Sequence, residues 1–432
     1  MSDSSPDTGQ HCANSAGLPV ATAQLRWVCC LLLLAALLRV IAAVAIDQHC
    51  RHVGRQFLVE GDANGYWALG EAIAAGADYA IHTPPRRILR TPGFPLLLAA
   101  SIRVFGHSIL MASLLLAMVG TVVCLQVYLL TRRLAGPLPA LAALALAAIS
   151  PLQIASSVQI LSEGWFTCWV LASLLTLEPL LRAEPPQRKL HLLLQALTAG
   201  LATGAGILVR PGWILWPALA TPLLLLFHRG PKGQRILLAG LLCLGSWLVL
   251  LPWAIRNHQV SGLWIHTSLW SGPSLYDGLN PQATGASDMR FLDEESLYTR
   301  FSEAEVNELY KRRALDFVLQ NPQRTTELAI TKSARFLSPV LNAQGLSNVA
   351  LNACLLSWYL FLVILTVRGL FSGCLPAVAT LLLFLPFLQF LLVHMVFVGS
   401  VRYRLPVEMP LTAVAACGMV GMWQRRSGRW RS

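Results

Sequence analysis

About ten long apolar runs, separated by short polar connections, constrain this chain more than anything else in it. A run of roughly 20 apolar residues matches the ~30 Å hydrocarbon core of a bilayer. In lipid every backbone N–H and C=O needs a partner within the protein, so such runs are read as helices. The expected spans lie at about 25–46, 108–130, 138–150, 160–181, 191–209, 212–227, 235–253, 349–367, 373–397 and 406–423. Composition agrees: charged residues make up 12% of the chain and apolar residues 55%, with a mean hydropathy of +0.57. The expected fold is an all-α polytopic membrane protein with roughly ten transmembrane helices.

The runs divide the chain. Residues 1–24 carry no apolar period and read as a disordered cytoplasmic tail without a cleavable signal. Residues 25–253 form a membrane core that includes a first outer loop, 47–91, and a short apolar segment, 92–105, at the interface. Residues 254–348 form a second outer stretch, irregular up to about 300 and helical beyond it. Ser302, ahead of Glu303 and Glu305, is an N-cap signal, and Asn321-Pro322 is a helix stop. Two amphipathic helices are expected there, either on the outer leaflet or as a lid over a site. Residues 349–423 close the membrane part, and 424–432 form a basic cytoplasmic tail.

Charge orients these runs. Arg132-Arg133, Arg182 with Arg188 and Lys189, Arg229 with Lys232 and Arg235, Arg368, and the tail residues Arg425, Arg426, Arg429 and Arg431 fall on alternate connections. Placing them in the cytoplasm satisfies the positive-inside rule. The remaining connections then face outward: 47–91, 150–159, 209–212, 254–348 and 399–405.

Those outward ends gather ionisable groups: Asp62, Arg90, Glu163, Arg210, Arg256, Arg402 and Arg404, with Arg39 inside the first run. Such groups at membrane depth are costly and face a cavity or a partner. Acids and guanidiniums on one face suit an anionic substrate handled by a base, since arginine grips phosphate with a planar fork. Plainer readings stand beside this one. Asp62 also fits a turn, Glu163 a helix N-terminus, Arg39 a snorkelling side chain, and the other arginines lipid headgroups. Tyr66, Trp67, Trp264 and Trp270 read as an interfacial belt, or as a platform for sugar or prenyl chain. His49, His52, His82, His258 and His266 show neither an HxH nor an HExxH spacing, so a divalent metal is unsupported. The ten cysteines are scattered, with no CxxC pair. The net charge of +12 sits between apolar runs, without the aromatic-interleaved stripe of a nucleic-acid binder, and fits anionic lipid headgroups better.

In their order these segments resemble the GT-C membrane glycosyltransferases, in particular glycosyltransferase family 39 with its protein O-mannosyltransferases and the related lipid A aminoarabinose transferases. The resemblance rests on Asp62 followed by Tyr66 and Ala68, on Arg90 to Pro95, Ser162-Glu163 and Arg210-Pro211, on Pro252 to Asn257, and on Arg402 to Pro406. Asn280-Pro281, Thr284-Gly285 and Asn321-Pro322 add to it. It covers about residues 25–423, and each motif alone is weak. One departure stands out: the family's tandem acid pair is absent, because Ala63 follows Asp62. Asp62 is then expected to act alone or with a distant acid such as Glu163.

The resemblance implies a polyprenyl-phosphate sugar donor and a glycan, lipid or protein acceptor on the outer face of a membrane, a bacterial inner membrane being the expectation. No nucleotide-binding motif is present. By the same resemblance Asp62 is the base, with Glu163 the second catalytic acid. Tyr66, Arg90, Arg210, Arg256, Arg402 and Arg404 bind substrate, and transfer inverts the anomeric carbon. A transporter or flippase of lipid-linked sugar is the competing class. Its signature would be polar residues in mid-span or broken-helix repeats, whereas here the polar residues lie at the outer ends.

Overall fold

The computed structural model describes residues 17–182, 188–341 and 348–426. Among them the chain is helical, with no strand beyond an isolated bridge between Ile81 and Arg86. α1 (Gly17–His52) is followed at its C-terminal end by α2 (Asp62–Ala75) and α3 (Gly93–Phe105). α4 (Ile109–Ala135) and α5 (Pro137–Ile149) run down and back, and α6 (Pro151–Ser156) is a short turn before α7 (Ser162–Arg182) and α8 (Lys189–Val209). A tight turn at Pro211–Leu215 leads into α9 (Trp216–Phe227), and α10 (Lys232–Ser261) crosses back. α11 (Ser271–Gly278), α12 (Phe291–Glu295), α13 (Glu303–Gln320) and α14 (Pro322–Phe336) cap that end of the bundle. α15 (Val349–Leu370), α16 (Ala377–Val396), α17 (Val401–Glu408) and α18 (Leu411–Arg426) complete it.

Local chemistry sets these boundaries. Ser108 accepts from Met111 N at 3.3 Å and starts α4, while Gly136 (φ 86°) and Pro137 separate α4 from α5. Gly76, in the left-handed region at φ 69°, ends α2. Ser302 and Glu305 form a capping box on α13, and Asn321-Pro322 divides α13 from α14 as the sequence predicts. Asn348 caps α15 through Leu351 N at 2.8 Å.

Among the described residues seven helices are long and apolar enough to cross a membrane, or eight if α17 and α18, bent by 66°, count as one span. The expected count of about ten is not reached by length. α5 has 13 residues, and the run at 211–227 is divided between a tight turn and α9. Other expectations also need correction. Helix α1 already begins at Gly17, so residues 17–24 are not a disordered tail; residues 1–16 lie outside the described part, as do 427–432 of the basic tail. α1 runs on to His52, where an Asp47–Arg51 pair at 2.9 Å lies on its last turns, and α2 turns a further part of the first outer loop into helix.

α7 and α8 form the centre. Phe166, Val170, Leu171, Leu174 and Leu177 of α7 are buried in the main core. α8 meets α10 backbone to backbone: a Cβ at Gly200 would stand 2.2 Å from Leu242 O, and one at Gly245 2.6 Å from Leu197 O. Small residues permit that approach, which supplies packing where lipid offers no hydrophobic driving force. Arg39, buried in α1, donates to the carbonyls of Ala147 and Ala148 at 3.3 and 3.4 Å, satisfying groups that the end of α5 leaves unpaired. Its role there is structural.

Candidate active site

Asp62, Glu163, Arg90, Arg210 and Arg402 come from five separate segments and meet at the end of the bundle opposite the basic connections. Asp62 is the first residue of α2, behind Gly61 at φ 83°, and lies where the helix dipole favours a carboxylate. Glu163 occupies the equivalent first turn of α7, Arg210 the C-terminal cap of α8, and Arg402 the first turn of α17. Arg90 lies in the segment between α2 and α3.

The five side chains form one chain of charge. Arg90 Nη2 donates to Asp62 Oδ1 at 2.7 Å, and Arg402 Nη2 to Asp62 Oδ2 at 2.8 Å. Arg402 also pairs through Nε with Glu163 Oε1, the oxygen that accepts from Arg210 Nη1 at 2.9 Å. Glu163 is 1% exposed and its Oε2 has no partner, whereas the Asp62 side chain is 36% exposed. Three guanidiniums thus face two carboxylates, and the cluster keeps one net positive charge. Burial alone would raise the Asp62 pKa. Arg90 and Arg402 outweigh it and hold the carboxyl well below the usual carboxylate range.

Aromatic rings brace the guanidiniums. Arg90 sits 4.3 Å over the Tyr66 ring, Arg210 5.0 Å over Tyr403, and Tyr403 stacks on His394 at 4.4 Å. Tyr66 OH lies 3.5 Å from Ser162 Oγ, joining α2 to α7.

The cluster opens into a cavity of about 550 Å³. Asp62, Tyr66, Arg90, Arg210 and Arg402 line its charged side. Ile214, Leu215, Val393 and Phe397 give it an apolar side, and Ser268, Ser274, Asp277 and Ser287 a polar one. Glu163 is not part of the lining. It pairs with Arg210 and Arg402 from behind the lining. Nor does it stand beside Asp62 as the missing tandem acid would: the two carboxylates share Arg402. Ala63, where that acid would sit, is buried in the core.

Two further expected substrate ligands lie elsewhere. Arg256 donates to Arg87 O at 2.7 Å and Tyr79 O at 3.2 Å, between the rings of Tyr79 and Trp253. Arg404 is 1% exposed, pairs with Glu408 at 2.7 Å and donates to Phe336 O and Ser338 O. Both satisfy backbone carbonyls, and neither lines the cavity. Arg256 still serves the site indirectly. With Glu303, whose carboxylate accepts from Arg87 N at 2.5 Å and Ile88 N at 3.1 Å, it fixes the segment that carries Arg90. Tyr79 OH adds a bond to Arg90 O at 3.1 Å. Sequence reading took Glu303 for a cap acid only; no spacing signal links it to a segment 215 residues away. His394 and Asp277 were missed for the same reason.

Among the described residues no group of three or more histidines, cysteines or acids is placed to hold a metal ion.

Residues 89–255, under half of the chain, match the model of the dolichyl-phosphate-mannose-protein mannosyltransferases. That stretch contains Arg90, Glu163 and Arg210, but not Asp62 or Arg402. None of the curated proteins matches the sequence. Among solved structures, the Archaeoglobus fulgidus oligosaccharyltransferase AglB, in complex with an inhibitory peptide and a dolichol-phosphate, is similar with a TM-score of 0.53 at 14% identity, over 94% of this chain and 51% of that one. Its apo form gives 0.54 at 15% identity over the same shares. ArnT from Cupriavidus metallidurans, at 17% identity over 95% and 79% of the two chains, has a TM-score of 0.45, too low to argue from. The chain spans about half the length of the oligosaccharyltransferase, and identity this low speaks for the fold alone.

Proposed function

We propose that this chain is an integral membrane glycosyltransferase that moves a sugar from a polyprenyl-phosphate donor to a hydroxyl or amine acceptor on the outward face of a bacterial inner membrane. The observation that carries the reading is the cluster itself: a half-open carboxylate held by two arginines, with one unbalanced positive charge, beside an apolar wall. A polyprenyl phosphate is a single anionic group on an apolar chain, and the cavity offers a surface for each part. The relatives add support. AglB was solved with a dolichol-phosphate, and the family model is that of enzymes using dolichyl-phosphate-mannose.

The chemistry is one displacement. Arg90, Arg210 and Arg402 hold the phosphate, and the prenyl chain lies along Ile214, Leu215, Val393 and Phe397. The acceptor oxygen or nitrogen attacks the anomeric carbon and gives its proton to Asp62. The bond from that carbon to the phosphate oxygen breaks, and the phosphate leaves with the electron pair, its charge met by the guanidiniums. Attack opposite the leaving group inverts the configuration. In the ligand-free geometry both oxygens of Asp62 are engaged by arginines, and such a carboxylate is a weak base. A phosphate that draws Arg90 and Arg402 toward itself frees those oxygens, so donor binding and base activation are one event.

The test is Asp62→Asn in proteoliposomes, with transfer of labelled sugar from undecaprenyl phosphate to an envelope extract. Transfer is expected to fall by about 10²–10⁴-fold while undecaprenyl phosphate still binds. Full activity in the variant removes the mechanism. Lipid movement across the bilayer without transfer favours a flippase.

A further inference from the structure

Two stretches outside the membrane-length helices supply part of the cavity lining. Leu89, Arg90 and Thr91 lie between α2 and α3, and Trp270, Ser274 and Asp277 lie in α11 and just before it. Between α2 and α3 the chain holds no helix, only the isolated Ile81–Arg86 bridge. The backbone that carries Arg90 is therefore placed by groups from elsewhere in the molecule.

One face of α13 supplies several of them. Glu303 and Asn307 are four residues apart and stand one above the other on that helix. Glu303 Oε1 accepts from Arg87 N at 2.5 Å and lies 3.3 Å from Ile88 N, which Oε2 meets at 3.1 Å. Asn307 Oδ1 accepts from Gly272 N at 2.8 Å and from Ser271 Oγ at 3.3 Å, at the start of α11. Leu269 N donates to Ile88 O at 2.8 Å, so the two lining stretches are joined to each other where α13 grips both.

The helix is a firm support. Its N-terminus is closed by the Ser302–Glu305 capping box, and Tyr310, Ala314 and Phe317 continue the same face into the protein. The contact with α11 leaves no slack, because a Cβ at Gly272 would stand 1.9 Å from Asn307 O. In the stretch between α2 and α3, Arg256 meets Arg87 O and Tyr79 OH meets Arg90 O. Among the described residues the N–H groups of Arg87 and Ile88 are met by Glu303 alone.

We propose that Glu303 is a positioning residue for Arg90: by accepting from two successive N–H groups it keeps the Arg90 guanidinium in register with Asp62 and with a bound phosphate, while Asn307, on the same helix face, keeps α11 against that stretch. This rests on the donor reading given above. Glu303 acts as a hydrogen-bond acceptor more than as a charge, since a single oxygen of it reaches both N–H groups. Without it two N–H groups lose their partner, the stretch shifts, and a small displacement of a phosphate-gripping side chain is costly.

The experiment measures equilibrium binding of radiolabelled undecaprenyl phosphate to the full chain in detergent micelles. The variants are Glu303→Ala, Glu303→Gln, Arg90→Ala and the double variant Glu303→Ala with Arg90→Ala. Glu303→Ala is expected to lose about tenfold in affinity, and Arg90→Ala at least as much. Glu303→Gln, which keeps one acceptor oxygen, is expected to bind as wild type does. The double variant is expected to bind no more weakly than Arg90→Ala, because the effect of Glu303 passes through Arg90. Unchanged binding in Glu303→Ala overturns the inference, and so does a Glu303→Gln as weak as Glu303→Ala. Additive losses in the double variant also overturn it, marking Glu303 as a general support of the outer helices. Each of those results leaves the donor reading standing. Failure of wild type to bind the lipid, or full binding in Arg90→Ala, removes the donor reading and the inference with it.

Discussion

Asp62 sits at the positive end of a short helix with an arginine on each oxygen. Its folded pKa is depressed, so its pairing stabilises the fold above the unfolded value of about 4 and is lost only as pH falls through the lower folded value. The free enzyme therefore keeps Asp62 ionised well into acid. Once the donor takes the arginines, burial acts with less opposition and the pKa rises. The expected outcome is an acid limb in kcat at higher pH than the acid limb in kcat/KM for the donor, because kcat reports the bound complex and kcat/KM the free enzyme. Superimposable limbs would show that the donor leaves the Asp62 pairs intact. Asp62, Arg90, Arg210 and Arg402 were legible one by one, since a charged residue near a span end is conspicuous in an apolar text. Their roles were not. Arg402 and Arg404 stand two residues apart, and only the turn of α17 sends one to Asp62 and the other to the carbonyls of Phe336 and Ser338.

At the level of helices, glycine sets how closely the frame closes behind the site. Gly245 and Gly240 lie on the same helix, α10, but a Cβ at Gly245 would meet Leu197 O at 2.6 Å, while one at Gly240 meets nothing within 4 Å. Gly245→Ala is expected to destabilise by about 1–3 kcal/mol through overpacking, and Gly240→Ala to be neutral or mildly stabilising through helix propensity. Thermal unfolding in detergent measures both, and equal shifts would show that the α8–α10 contact is looser than described. Most helix limits were readable from caps and prolines, as at Ser302, Asn321-Pro322 and Gly136. The inward turn of α14 was not. Lys332 is buried and donates to Val396 O at the end of α16, and Arg335 donates to Gly399 O just beyond it.

Across the whole molecule the basic connections and the charged cluster occupy opposite ends of the bundle. Arg132, Arg133, Arg182 and Arg368 end helices at one side; Asp62, Glu163 and Arg402 begin helices at the other. With the basic end in the cytoplasm, a membrane-impermeant thiol reagent on intact spheroplasts is expected to label Ser296→Cys and to spare Gly233→Cys, both in a background without the native cysteines. The reverse pattern would turn the site inward and remove the proposed sidedness.

The sequence by itself determined the environment, the helical class and the separation of the basic connections from the acid-bearing ends. Those follow from local properties: run length against bilayer thickness, and the cost of moving arginine across lipid. Tertiary structure alone decided which charges meet. Glu163 is 239 residues from the arginine it holds, and Asp62 is 340 from its second partner. No periodicity spans such distances. Contact between them depends on how α7, α8 and α17 pack, and that packing is set by side-chain volume and glycine contacts that a linear pattern does not encode.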